Sequence, residues 1–255
     1  MEKMAQVQMG ALILCRIMSF LVIGPVFSQR DFPNMAKMVV GLSLVIAAFP
    51  AVGNYKEVSM ILFSLAAVKE ILFGLAMGYL SQLVFNAVMM AGQMIDFQVG
   101  FSMAQAYDST MQMMTSQFGK LYYWLALCVF FLLNLHQQLI FGILESFRIV
   151  PLGAMVLKGF TVEGIVKLFA QTVEMSLSLA APLVVSVLVI DLVLGIISRS
   201  IPQINVLMLS LSVKTAVALI IFLLLLPNLM SFLGTHLAES ISNMMDFVRS
   251  IQQAR

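Results

Sequence analysis

The sequence predicts an all-α fold of the polytopic membrane type, and three observations predict it. Of the 255 residues 61% are hydrophobic and 10% are charged, whereas a soluble domain carries about a quarter charged residues. Mean hydropathy is +1.02. The apolar residues gather in long runs, near 9–28, 38–55, 58–105, 121–150, 165–198 and 204–233. In lipid every backbone N–H and C=O must be satisfied within its own segment, so runs of this length default to helix. A net charge of +2 is too small to attract nucleic acid. Glycine and proline are spread along the chain with no linker, so 1–255 reads as a single domain.

A bilayer core asks for about 20 apolar residues per helix. The charge-free stretches 71–95, 121–144 and 215–236 meet that length, 39–55 is borderline, and ions break the other runs. Residues 24–37 hold two prolines, a glycine and three charges and predict a loop. Residues 49–57 predict a second loop, and 198–205 a third, where Pro202 pushes Ile201 out of helical geometry. Pro182 and Pro227 lie inside apolar runs and predict kinks, not ends. Lys3 precedes the first apolar run, but Arg16 interrupts it and no small-x-small cleavage site follows, so the N-terminus reads as retained.

Six spans would put Lys3, Lys56, Lys69, Arg148, Lys158, Lys167, Arg249 and Arg255 on one side, against Arg30, Lys37, Lys120 and Arg199 on the other. That distribution favours cytoplasmic termini. The last segment, 235–255, differs from the rest. Leu237, Ile241, Met244, Phe247 (or Val248) and Ile251 recur at helical spacing, while Glu239, Asp246 and Arg249 lie elsewhere on the wheel. It predicts an amphipathic helix that packs on a partner or lies along an interface.

Arg16, Lys69, Glu70, Asp96, Glu174, Asp191 and Lys214 interrupt the apolar runs. An ion at the bilayer centre costs at least about 2.5–3.5 kcal/mol, so these must pair, face water or sit away from lipid. Lys69 and Glu70 are adjacent and point about 100° apart on a helix, so neither is the other's natural partner. Two readings are open, a proton or cation path and salt bridges between subunits. No His–carboxylate cluster or paired acidic motif marks a relay.

Other constellations are structural. Gly74-x3-Gly78 permits a close helix crossing. Cys15 and Cys128, without metal spacing, read as small buried apolar residues. His136, flanked by amides in "NLHQQL", reads as a hydrogen-bonded structural histidine. No nucleophile–base pair, HExxH, P-loop or dinucleotide motif is present, so neither an enzyme, a cofactor nor a metal is expected.

The stretch "AQAYDSTMQMMTSQFGK" from Ala104 is too polar for lipid and too uncharged for an ordinary solvated loop. Seven of the 21 methionines fall between Met89 and Met114. Met89, Met90 and Met94 read as core packing. Met111, Met113 and Met114 sit among serine, threonine and glutamine. A loop at membrane depth is tolerated only when buried in protein or lining a watery cavity. Uncharged polar atoms with deformable thioethers suit a seal that yields; an exposed turn is the alternative.

With these features in order, the sequence resembles the FliR family of flagellar type III export gates and its injectisome counterparts. The resemblance begins with "RIMSFLVIGPVFSQRDFPNMAKMVVGLSL" at Arg16. It continues through "KEILFGLAMGYLSQLVFNAVMMAGQMIDFQVGFSMAQAYDST", with Ser109 where proline is common, then "LNLHQQLIFGILESFRIVP" and "LGIISRSIPQINVLMLSLSVK". The arginine–PQ–N–lysine string is the most specific part. Leu211, Ser212 and Val213 stand where relatives often carry glycine and proline. The likeness covers about residues 10–230.

The resemblance implies helical hairpins assembled in a hetero-oligomeric export gate of the bacterial inner membrane, within the flagellar basal body. It implies one copy beside FliP and FliQ, with FlhB and FlhA attached and unfolded flagellar proteins as cargo. Much of such a gate lies above the bilayer plane, so ions can face neighbouring subunits. On this basis Arg16, Lys69, Glu70, Asp96, Arg199, Pro202, Gln203 and Lys214 are expected at subunit contacts, with Lys214 needing a carboxylate. The pore plug is expected at Tyr107, Asp108, Ser109, Thr110, Met111, Gln112, Met113, Met114, Thr115, Ser116 and Gln117. The alternatives are an injectisome export subunit and a secondary transporter using Asp96, Glu174 and Asp191. The absence of a visible inverted repeat weighs against the transporter.

Overall fold

The computed structural model describes residues 2–29, 32–53, 55, 57–101, 116–154, 162–200 and 206–253. They form an all-α chain, with α1 at Glu2–Ile23, α2 at Asn34–Ala48, a 3-10 turn at Phe49–Ala51 and α3 at Met60–Val99. Then follow α4 at Gln117–Leu132, α5 at Leu135–Ile149, α6 at Val162–Ser200 and α7 at Val206–Gln253. Among the described residues five helices are long and apolar enough to cross a membrane, or six if α4 and α5 count as one broken span. At about 1.5 Å per residue, the 40 residues of α3 and 48 of α7 run well beyond the roughly 30 Å hydrocarbon core of a bilayer.

The chain divides into two compact units. The first comprises Met1–Leu83, Phe130–Lys167 and His236–Arg255. Its core is made by Leu12, Ile13, Ile17 and Phe20 of α1, Phe73 and Met77 of α3, and Leu139, Ile143 and Phe147 of α5. Gly74 and Gly78 are where α3 meets α1. A Cβ on Gly74 would overlap the Arg16 carbonyl and Ser19 Oγ, and one on Gly78 would lie 2.9 Å from the Phe20 carbonyl oxygen. The end of α7 completes this unit. Leu237, Ile241, Met244, Val248 and Ile251 are buried, Met244 and Met245 close over Gly142, and Phe247 stacks on Phe73 at 5.9 Å.

The second unit comprises Val84–Val129 and Leu168–Thr235. Its core runs along Phe85, Val88, Ala91 and Ile95 of α3, Tyr122 and Ala126 of α4, Leu183 and Val187 of α6, and Ala218 and Phe222 of α7. Rings knit it together, with Phe222 edge-on to Tyr122 at 5.7 Å and to Phe118 at 6.3 Å. Leu188, Leu192 and Ile196 of α6 and Ile220, Leu223 and Leu224 of α7 remain exposed. Such apolar faces suit lipid or another subunit.

The architecture departs from the sequence expectations at five places. The run 121–144 is not one helix: α4 and α5 meet at a 73° bend, where Asn134 adopts φ 54. Asparagine tolerates that left-handed conformation, which ends one helix and redirects the next. Of the segment 235–255, residues 235–253 are no separate element but the continuation of α7, which runs through Pro227 as α6 runs through Pro182, and 254–255 lie outside the described residues. Of the loop expected at 198–205, residues 198–200 belong to α6, and 201–205 lie outside the described residues. Cys128 is exposed and Cys15 half-buried, since each lies on a helix side that the chain's own core leaves open. His136 packs beside the Phe131 ring at 5.2 Å, and its buried Nδ1 has no hydrogen-bond partner.

Candidate functional site

Three polar constellations stand inside otherwise apolar helices. In the first unit, Arg16 of α1 reaches Glu70 of α3. Its Nε donates to Glu70 Oε2 at 2.5 Å, with side-chain exposures of 1% and 0%. The rest of the guanidinium fork is used as well. Nη1 donates to the Ser146 carbonyl at 3.0 Å and to its hydroxyl at 3.3 Å, and Nη2 to the Val150 carbonyl at 3.1 Å. The Phe73 and Phe147 rings lie 4.6 and 4.3 Å from the guanidinium carbon. Glu70 Oε1 accepts the Gly153 amide at 2.8 Å, and Gly153 holds φ +72, a conformation glycine takes without strain. One ion pair thus ties α1, α3, the end of α5 and the turn after it.

In the second unit, Asp191 of α6 pairs with Lys214 of α7 and accepts the Gln98 amide of α3 at 3.0 Å. This pair is more open, with exposures of 14% for Lys214 and 36% for Asp191.

The third constellation joins α3 to α4. Asp96, buried near the end of α3, accepts the backbone N–H of Phe118 at 3.1 Å. Ser116 Oγ accepts the N–H of Gly119 at 2.8 Å. Two of the four orphan amides that open a helix are therefore capped, one by a local serine and one by a carboxylate 22 positions away. Gly92 and Gly119 let the two backbones touch, because a Cβ on Gly92 would overlap the Gly119 backbone. Phe101 stacks against Phe118 at 6.3 Å. Gly100, at φ +103, turns the chain out of α3.

Of the residues expected to plug a pore, Ser116 and Gln117 open α4, while Tyr107 to Thr115 lie outside the described residues. Pro202 and Gln203 lie outside them too. Arg16 and Glu70 find each other, and Lys214 finds its carboxylate in Asp191 of the same chain. Lys69 is half-buried, and Arg199 and Glu174 are exposed. Met90 and Met94 are not closed core. They line an open groove of about 590 Å³ with Gln93, Phe97 and residues of α6. Sequence reasoning missed Ser146, Gly153, Gln98 and the Gly92–Gly119 contact. The small-residue pair at Ala91 and Gly92 was the one available signal for that contact.

The chain matches the family described as bacterial export proteins, family 1, over residues 7–240. The flagellar biosynthetic protein FliR of Aquifex aeolicus (strain VF5) is 29% identical over 241 residues, covering 93% of this chain and 92% of its own length. FliR of Bacillus subtilis (strain 168) is 31% identical over 217 residues, 83% of each chain. The Yop proteins translocation protein T of Yersinia pestis is 28% identical over 240 residues, covering 92% of this chain and 90% of its own length.

Proposed function

The chain belongs to the bacterial export proteins, family 1, and from that premise we propose that it is a core subunit of the flagellar type III export gate. It sits in the bacterial inner membrane within the basal body, beside FliP and FliQ, with FlhB and FlhA. It helps to form and to plug the central channel through which unfolded flagellar proteins leave. Its role is structural, not catalytic.

The observation that carries this reading is likeness over 93% and 83% of the chain to two flagellar FliR proteins, at 29% and 31% identity. The character of residues 107–117 supports the plugging role. A seal must exclude ions around an empty passage and still admit varied cargo. Methionine repacks around many shapes, and the absence of charge from Ser109 to Gln117 avoids trapping charged cargo.

Deleting 110–115 tests the plug. The reconstituted complex carrying the deletion is expected to conduct ions at least several-fold more than the wild-type complex. Unchanged conductance would remove the plug assignment. The likeness to translocation protein T at 28% identity supports a second reading, an injectisome subunit. Restored motility in a strain lacking its own FliR separates the two.

A further inference from the structure

We propose that Asp96 is the positioning residue that holds the two ends of the plug segment together; this rests on the plug reading above. The segment leaves α3 at Gly100 and Phe101 and returns at Ser116. Among the described residues that join those two ends, Asp96 is the ionisable one.

Asp96 is an unusual helix cap. The carboxylate of a capping residue normally comes from the turn that opens the helix. Here Ser116 fills that place and serves Gly119, leaving the Phe118 amide to Asp96 from another helix. Oδ1 makes that bond, while Oδ2 is buried without a partner. A negative charge also complements the positive end of the α4 dipole. A buried carboxylate with an unused oxygen is costly where stability alone is concerned. Its position makes sense as a fastener, because the Phe118 amide it holds lies two residues past Ser116, where the described chain resumes.

The neighbouring contacts fit one fastened base. Gly92 against Gly119 brings the backbones together, and Phe101 on Phe118 covers the junction. These contacts hold the end of α3 against the start of α4. Without Asp96, the first turn of α4 frays and the far anchor loosens.

The test is ion conductance of the reconstituted complex for Asp96→Ala and Asp96→Asn, each alone and combined with the 110–115 deletion. Asp96→Ala is expected to assemble at wild-type yield and to leak several-fold more than wild type. Asp96→Asn keeps an acceptor for the Phe118 amide and should stay within about twofold of wild type. On the deletion background Asp96→Ala should add nothing, since the group it positions is gone. If the deletion leaks but Asp96→Ala seals, the inference fails and the plug reading stands. If the deletion itself seals, both fall. A leak from Asp96→Ala that multiplies on the deletion background places its action elsewhere and overturns the inference. Hydrogen exchange on the wild-type complex needs no variant. Protected Phe118 and Gly119 amides are expected, and rapid exchange at both would overturn the proposal even if Asp96→Ala failed to assemble.

Discussion

Arg16–Glu70 and Lys214–Asp191 are ion pairs of opposite construction. The first is sealed, with exposures of 1% and 0%, and the remaining hydrogen bonds of both partners go to the chain's own backbone and the Ser146 hydroxyl. The second is exposed by 14% and 36% and has one further bond, from Gln98. A buried charge tolerates no missing partner, because desolvation is repaid only by complete hydrogen bonding. A half-open pair tolerates one and retains room for another. The first pair therefore belongs to the framework of its unit, and the second keeps part of its carboxylate open to the surroundings.

The sharpest way to break that contrast is Arg16→Ala. It strands the Glu70 carboxylate and takes the guanidinium donors away from the Val150 carbonyl and from Ser146, a loss of about 3–5 kcal/mol. The variant should unfold in detergent at a clearly lower temperature or fail to accumulate. Arg16→Lys should recover little, since an ammonium cannot serve three elements as a planar fork does. Next comes Gly74→Val, which drives a side chain into the Arg16 carbonyl and Ser19 Oγ. The expected cost is about 1–3 kcal/mol, read as lower thermal stability in detergent.

Lys214→Ala should cost the isolated chain about 1 kcal/mol or less while lowering recovery of the assembled complex. Normal recovery would remove the assembly role from Lys214. Least of all should follow from Arg249→Ala. Its bond to Asp246 joins two side chains that are each 64% exposed, so stability should move by less than about 0.5 kcal/mol.

The contrast also marks what the sequence could convey. Period carries local information, and the stripe from Leu237 to Ile251 was readable because a helix repeats every 3.6 residues. The same rule placed Gly74 and Gly78 on one face, where α1 now crosses. Period does not say which helix a charge meets. Arg16 and Glu70 lie 54 positions apart, and nothing in their neighbours names the other. The bond from Phe118 to Asp96 is hidden for a further reason, since its donor is a backbone amide that every residue carries. The bend at Asn134 was missed because "LLNLHQQL" keeps a helical composition across it, and a single left-handed residue leaves no periodic trace. Composition showed the peculiarity of the methionine-rich middle, which is where the proposed plug lies.

The most direct test of the account is native mass spectrometry of the tagged protein, expressed with its neighbouring genes and extracted in mild detergent. A stable hetero-oligomer containing one copy of this chain is the predicted result. A monomer or a homo-oligomer under the same conditions would contradict it, and would turn attention to Asp96 and Asp191 as carriers in a transporter.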